Sequence, residues 1–414
     1  MQHYDVIVVG SGGAGMMSAI VSARGGKKVL LLEKLSKIAS KLKASGGGRC
    51  NITNTLSNDE FMKNFGRDGR FLQDMLEVLD SLALREFLNS IGVVTHAPDG
   101  FRVFPTSHNS ATIIEAFEKE LSRVGVSVLC DQEVIEVLEK EGCVYGVKTK
   151  IQTFFAQNVV IATGGKGFSK LGTTGDGYRF AQELGHSITP LFAAMLPLVA
   201  KESWTEKLRA DTIAKATLRV DLKKHKKLKA KGDLIFTKKG IRGPVVLDFA
   251  REITPLVQKY GEVPLVINMA KGMDEDKLYN FLKQQPQTQS VLEVLQSVFA
   301  TSVAEVLCEL AKVDGELPFL KLKGESKANL LKIATATPLS IVGDDGFEKA
   351  MVTRGGISLK EVDPKTMQSK LVKGLYFCGE VLNIDGPCGG YNLQFCFSSG
   401  YLCGKSIVKE KEYE

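Results

Sequence analysis

The sequence lacks paired cysteines. Its eight cysteines are scattered, with no C-x-x-C or C-x4-C pair and no clustering with its five histidines at metal-ligand spacing. That pattern argues against a disulfide-exchange mechanism and against a metal site, and it predicts reduced thiols in a cytoplasmic protein. Long apolar runs are also missing. The longest one after the opening strand, Ile188 to Ala200, carries Pro190 and Pro197 and is too short to cross a membrane. The first apolar run reads as a strand of the fold, so no signal peptide is expected. There is no internal repeat and no low-complexity linker. Charge of one sign is concentrated in a single place. The formal net charge is +7, and six lysines lie between Lys223 and Lys231. That run reads as a solvated hairpin tip. Read instead as a patch for anionic partners, it lacks the aromatic interleaving of a nucleic-acid surface, so no nucleic-acid partner is expected.

The stretch from Asp5 to Glu33 has a definite organisation. Val6-Ile7-Val8-Val9 is short and β-branched, which predicts a buried parallel strand. Gly10-Ser11-Gly12-Gly13-Ala14-Gly15 follows as G-x-G-x-x-G. Apolar residues then recur at helical spacing until Gly25-Gly26. A second strand, Val29 to Leu32, ends on Glu33. Strand, glycine turn, helix, strand and acid together make the dinucleotide-binding unit. Gly10 permits the tight turn, Gly12 lets the backbone approach a diphosphate, and Gly15 lets helix and strand pack closely. The helix start offers free N–H groups to the phosphates. Glu33 stands where a carboxylate can accept hydrogen bonds from a ribose.

Further motifs follow in order. After Lys34 and a basic loop, Ser45-Gly46-Gly47-Gly48-Arg49-Cys50-Asn51 predicts an irregular backbone lying against a flat ligand. Residues 59–92 and 110–124 read as helical, and residues 143–148 and 151–155 as a hairpin. Val159-Val160-Ile161 is a buried strand ending in Ala162-Thr163-Gly164-Gly165, placed near the same ligand. Between residues 191 and 270 the pattern turns to short strands, including Gly243 to Leu247, and predicts a β-rich subdomain, a barrel or sandwich. Residues 271–335 read as helical. The opening style returns with Gly374 to Glu380, then Gly386-Pro387-Cys388-Gly389-Gly390-Tyr391-Asn392, then a helix from Leu393 to Ile407. The expected organisation is therefore a nucleotide-binding domain in two segments, 1–190 and 336–414, interrupted by residues 191–270 and 271–335.

The motifs GSGGAG at residue 10, SGGGRCNITN at 45–54, IATGG at 161–165, LIFTKKGIRGP at 234–244 and GLYFCGEVLNIDGPCGGYNLQFCFSSG at 374–400 resemble the BaiN-like family of bacterial flavoproteins. The resemblance covers nearly the whole chain. It implies an α/β fold: a two-segment Rossmann-like FAD-binding domain of the glutathione-reductase type, with an inserted β-barrel-like and helical domain. It also implies that Gly10, Gly12, Gly15 and Glu33 hold the ADP half of FAD, with Val134 contacting adenine through its backbone. Ser45, Gly47, Gly48, Arg49, Cys50 and Asn51 would surround the ribityl chain and flavin, together with Gly379, Glu380, Gly390, Tyr391, Asn392 and Leu393. Gly13, Ala14, Lys34, Ala162, Thr163 and Gly164 are expected to bind the cofactor as well. One departure is Asn383, which stands where the family often has an acid.

FAD is expected to be non-covalent, because no histidine lies between Lys34 and Phe65. No second strand–G-x-G-x-x-G–helix unit exists, so NAD(P)H is expected only as a transient reductant. The resemblance implies an oxidoreductase acting on a small organic substrate, an enone or an amine, with NAD(P)H or oxygen as the other redox partner. The alternative is a flavin-containing binding or RNA-modifying protein. No catalytic acid or base is fixed by the sequence. Tyr391 could donate a proton or pack beneath the flavin, and Arg49 could polarise a carbonyl or contact phosphate. Oligomeric state is not legible.

Overall fold

The first strand, His3–Val9, forms where its β-branched run predicts it, and every later parallel strand is registered on it. Val9 lies beside Leu32 of Val29–Leu32 and beside Ile161 of Thr153–Ile161. Leu32 lies beside Leu129 of Ser127–Leu129, and Ile161 beside Phe377 of Leu375–Phe377. The carboxyl ends of five parallel strands therefore coincide at one edge of a seven-stranded sheet. In open α/β sheets that edge is the ligand crevice. The computed structural model describes residues 3–409. It comprises two compact units, one built from the chain up to Leu191 and from Val352 onward, the other from Phe192–Met351.

In the first unit the helix Gly13–Arg24 follows the glycine turn, and Gly25 ends it. A Cβ on Gly15 would overlap the carbonyl oxygen of Gly10, so only glycine lets the helix approach the strand end. The last helix, Tyr391–Lys409, lies along this first helix, with Gly400 against the backbone of Ala14 and Gly404 against that of Ser18. Phe395, Phe397, Leu402 and Ile407 are buried there. Each contributes about 1.5–3 kcal/mol through burial.

Three sequence expectations are corrected in this unit. The hairpin strand and the buried strand before Ala162 are one nine-residue element, Thr153–Ile161. Its first part pairs antiparallel with Cys143–Thr149 and its second runs parallel to His3–Val9. The helical stretch at 59–92 is broken into Asn58–Lys63, Gly66–Leu72, Gln73–Val78 and Ser81–Ser90. Asp80 caps the last piece by accepting from the amide of Ala83 at 2.8 Å. The closing helix begins at Tyr391, two residues earlier than its apolar spacing suggests.

The second unit has its own apolar core. Six strands close a barrel in the order Leu198–Ala200, Gly240–Arg242, Lys229–Thr237, Thr212–Val220, Val263–Asn268, Thr337–Asp344. Its last strand, Thr337–Asp344, falls in the segment expected to belong to the nucleotide-binding domain. It closes the barrel by pairing with both Val263–Asn268 and Leu198–Ala200. Gly243 to Leu247 is not a strand but the start of the helix Pro244–Tyr260. Proline at the first helical position is pre-organised for helix, and Val246, Phe249, Ala250 and Ile253 recur on one buried face. Helical spacing outweighs the strand preference of Val245 and Val246. The helices Glu275–Leu282, Val291–Gln296, Thr301–Ala311 and Gly324–Thr335 complete the unit. Among the described residues, no helix is long and apolar enough to cross a membrane.

Candidate functional site

The shared strand edge gathers most of the residues singled out by the sequence. Gly10 donates its amide to Leu32 O, Glu33 to Leu129 O, and Ala162 to Val9 O, each at 2.9 Å. These bonds carry the ladder one step past the strands, so Gly10, Glu33 and Ala162 stand side by side. Cys378 joins them through its amide bond to Ile161 O at 3.2 Å, which brings Gly379 to the same edge.

The helix Gly13–Arg24 opens at this edge with Gly12 as its N-cap. No side chain caps it and no acid lies in its first turn. Its first N–H groups therefore point outward beside a positive dipole end. A Cβ built on Gly12 meets nothing within 4 Å, so backbone rather than side chain borders the space there. Glu33 accepts from the hydroxyl of Ser11 at 2.5 Å, from the amide of Ser11 at 3.2 Å and from the amide of Leu35 at 2.9 Å. The carbonyl of Glu33 accepts from Gln132 at 2.9 Å, which sets Val134, the first residue of Val134–Lys140, two residues away. Backbone donors, open space at Gly12 and a carboxylate at the next strand end match the diphosphate and ribose of FAD. Thr163 adds a buried hydroxyl that has no hydrogen-bond partner among the described residues.

The second group assembles around Ser45 to Asn51. Gly46, Gly47 and Gly48 have φ of 58°, 66° and 86°, and Cys50 follows at 58°. Cys50 is buried, and desolvation pushes its thiol up to about 11 despite a hydrogen bond with Ser45. It is therefore a packing group, not a thiolate nucleophile. With its side-chain amide turned so that every neighbour is satisfied, Asn51 Nδ2 donates to Thr53 O at 3.0 Å and to Val103 O at 3.2 Å, and its Oδ1 accepts from Gly390 N at 3.0 Å. This side chain ties the early glycine segment to the late one. Gly390 has φ of 87°, and a Cβ there would overlap the Thr53 carbonyl. Asn392 closes its own turn by accepting from Gly386 N at 2.8 Å and donating to Gly386 O at 2.9 Å. Leu393 sits in the first turn of the closing helix, packed on the core.

Two ion pairs hold the connecting loop. Lys34 Nζ lies 2.6 Å from both Asp176 Oδ2 and Thr174 Oγ1. Lys41 Nζ lies 2.6 Å from Glu380 Oε2. Glu380 Oε1 also accepts from Thr353 N at 2.9 Å, and Thr353 Oγ1 accepts from the amides of Lys166 at 2.8 Å and Gly167 at 3.1 Å. Sequence reasoning missed Thr353, which links the Gly164 turn to Glu380 through no motif of its own. Tyr178, also missed, is buried beside Glu380, and its hydroxyl is pushed far up by burial and then by that carboxylate.

Arg49 and Tyr391 have different surroundings. The Tyr391 ring lies 4.9 Å from Phe61 and 5.9 Å from Phe65, within an aromatic cluster. Arg49 is exposed, with its guanidinium 5.7 Å from the Phe104 ring centroid. The same ring is 5.7 Å from His108, which is 4.6 Å from His96. Strand register makes this group, since His96 pairs with Phe104. No sequence motif marks either histidine.

The chain is similar along its whole length to known proteins. The chain is 30% identical over 408 residues to 3-dehydro-bile acid delta(4,6)-reductase of Clostridium scindens, covering 97% of this chain and 98% of that one. It is 27% identical over 414 residues to ribosomal RNA dihydrouridine synthase of Escherichia coli, covering 99% and 100%. Among solved structures it superposes on 3-ketosteroid delta1-dehydrogenase of Sterolibacterium denitrificans with a TM-score of 0.56 at 14% identity, covering 99% and 100%. The HI0933-like protein Rossmann domain family matches residues 4–406; the chain belongs to that family and is an FAD-dependent oxidoreductase.

Proposed function

We propose that this protein reduces a carbon–carbon double bond conjugated to a carbonyl. One observation carries the reading: two relatives matched along the whole chain have names that share this chemistry. A 3-oxo steroid with 4,6 unsaturation and a uracil ring that becomes dihydrouracil are both alkenes conjugated to a carbonyl. FAD, when bound, supplies hydride transfer. On the substrate, hydride adds to the β-carbon, the π bond breaks, and its electron pair moves toward the carbonyl oxygen. A proton then adds to the α-carbon. The two electrons come from a nicotinamide donor such as NAD(P)H. In this reading Arg49 draws charge at the carbonyl oxygen, and His108, backed by His96, delivers the proton. Tyr391 shapes the site from its aromatic cluster.

The test is anaerobic. The protein is reduced with NAD(P)H and then mixed with cyclohexenone, a 4-en-3-one steroid, an unconjugated alkene or a primary amine. Reoxidation of the flavin by a conjugated alkene, with a saturated product, is the expected result. Reoxidation by oxygen alone would overturn the reading. His108→Ala should slow the alkene step by about 10²-fold or more, the ordinary size of a general-acid contribution. Reduction by NAD(P)H should be unaffected.

A second reading, a uracil base within RNA as the alkene, is favoured by the concentration of lysines on one barrel hairpin.

A further inference from the structure

We propose that the barrel hairpin formed by Thr212–Val220 and Lys229–Thr237 is a docking surface for the sugar–phosphate backbone of RNA. That the docked RNA carries the alkene to be reduced rests on the conjugated-alkene reading above.

The hairpin is unusual first in its charge. From Thr212 to Thr237 the chain carries seven lysines and one arginine against two aspartates, so nearly the whole net charge of +7 sits on this element. The six lysines from Lys223 to Lys231 are all exposed, and among the described residues none of them forms an ion pair. Of the two acids, Asp233 accepts from the backbone amide of Lys215 at 3.1 Å through its Oδ1.

The register adds the second observation. Arg219 lies directly opposite Lys229, and both side chains are exposed on the outer face. Like charges in opposed positions of an antiparallel pair destabilise it. Lys231 follows on the same face, about 7 Å along the strand at the usual rise per residue. A solvated tip accounts for scattered lysines but not for a cationic row held at opposed strand positions. A polyanion supplied from outside would neutralise that row and relieve the repulsion.

The chemistry of the tip selects the polyanion. Leu222 and Leu228 turn inward and pack on the barrel core, and His225 Nε2 lies 3.2 Å from the Tyr260 hydroxyl. The tip thus offers no apolar side chain to insert into a lipid interface. The aromatic groups beside the tip are His225 and the exposed Tyr260, which pack edge to face on each other with ring centroids 5.8 Å apart. Phosphate contacts of this kind give affinity and salt dependence but no sequence choice.

The experiment uses the FAD-loaded full chain and deproteinised ribosomal RNA, with phosphatidylglycerol vesicles as the competing polyanion. Binding is measured from 50 to 300 mM KCl. The variant Lys226→Gln/Lys227→Gln/Lys229→Gln/Lys231→Gln should bind RNA at least tenfold more weakly at 100 mM. The slope of log K against log salt should become shallower by roughly 3, because four phosphates are no longer neutralised. The tip-only pair Lys226→Gln/Lys227→Gln, which leaves the strand register untouched, should give about half that change. Replacing the same four lysines by arginine should restore both values. Relief of repulsion should leave the melting temperature of the free glutamine variants equal to or above wild type at low salt. Equal affinity and slope for wild type and both glutamine variants would overturn the proposal. So would absence of RNA binding by wild type, or tighter hairpin-dependent binding to the vesicles. Flavin reoxidation by cyclohexenone in wild type is read separately. If it fails while hairpin-dependent RNA binding holds, the docking surface stands and the alkene assignment falls.

Discussion

The carboxylate of Glu33 is anchored by the hydroxyl of Ser11, 2.5 Å away, while its other oxygen accepts from Leu35 N at 2.9 Å. A carboxylate held at this strand end is placed to accept from a ribose hydroxyl. Hydrogen bonds to charged groups contribute about 1.5–3 kcal/mol each. Glu33→Ala should therefore raise the dissociation constant for FAD by tenfold to about a hundredfold, measured by titrating the apoprotein. Acid release should yield FAD, and recovery of FMN would contradict the assignment of this edge to the ADP half.

The Lys41–Glu380 pair predicts a strong asymmetry. Side-chain exposures of 22% and 15% make it partly buried, and Glu380 also holds the amide of Thr353. Lys41→Met strands a carboxylate that has lost its counter-charge, at a cost of about 2–3 kcal/mol, toward the low end for buried pairs. Glu380→Gln keeps an acceptor for Thr353 and should cost less. The double variant should recover part of the loss. A double-mutant cycle in urea should give a coupling above about 1 kcal/mol, and additivity would show that the pair is merely adjacent.

The parts of the fold legible in the sequence are those specified locally. Val6 to Glu33 could be read because strand, turn and helix each depend on residues close by, and Gly15 has one steric role. The barrel was only half legible. Thr337–Asp344 pairs with strands about 75 and 140 residues earlier, and no local pattern encodes such a partner. Val245-Val246-Leu247 misled because two β-branched residues sit just inside a proline-started helix. At the site, the glycine segments announced themselves through composition. Thr353, Tyr178 and the His96–His108 contact did not, since each is made by tertiary pairing of ordinary residues.

Burial of the Cys50 thiol gives a pH dependence of definite sign. Its folded value is raised from 9.0 to about 11, so the folded protein holds this proton more tightly than the unfolded chain. The stabilisation is fully present below pH 9 and is lost as pH rises through about 11. At 1.36 kcal/mol per unit, the loss is about 2–3 kcal/mol. Lysine and tyrosine titrate in the same range, so the comparison is with Cys50→Ala. Between pH 8.5 and 11, wild type should lose about 2 kcal/mol more stability than this variant. Parallel curves would mean that the thiol is reached by water.

The closing helix makes the last prediction. Its first turn, Tyr391 to Leu393, follows directly on Gly390, whose amide is held by Asn51 from the early glycine segment. The N–H groups of that turn have no intrahelical acceptor. If they face the pyrimidine edge of the flavin, they favour the negative charge that reduction places there. A helix N-terminus contributes about 0.3–1 kcal/mol, and up to about 2 when partly buried. For a two-electron couple 30 mV corresponds to about 1.4 kcal/mol, so the shift should be roughly 10–40 mV. Leu393→Pro removes one of these N–H groups at a position where proline is compatible with a helix. It also removes packing against the core, which Leu393→Ala removes without touching the amide. The flavin potential of Leu393→Pro should lie below that of Leu393→Ala, with FAD retained in both. Measured by dye equilibration, an equal or higher potential would place the helix start away from the flavin, and the Gly390 segment would then serve only to join the two glycine turns.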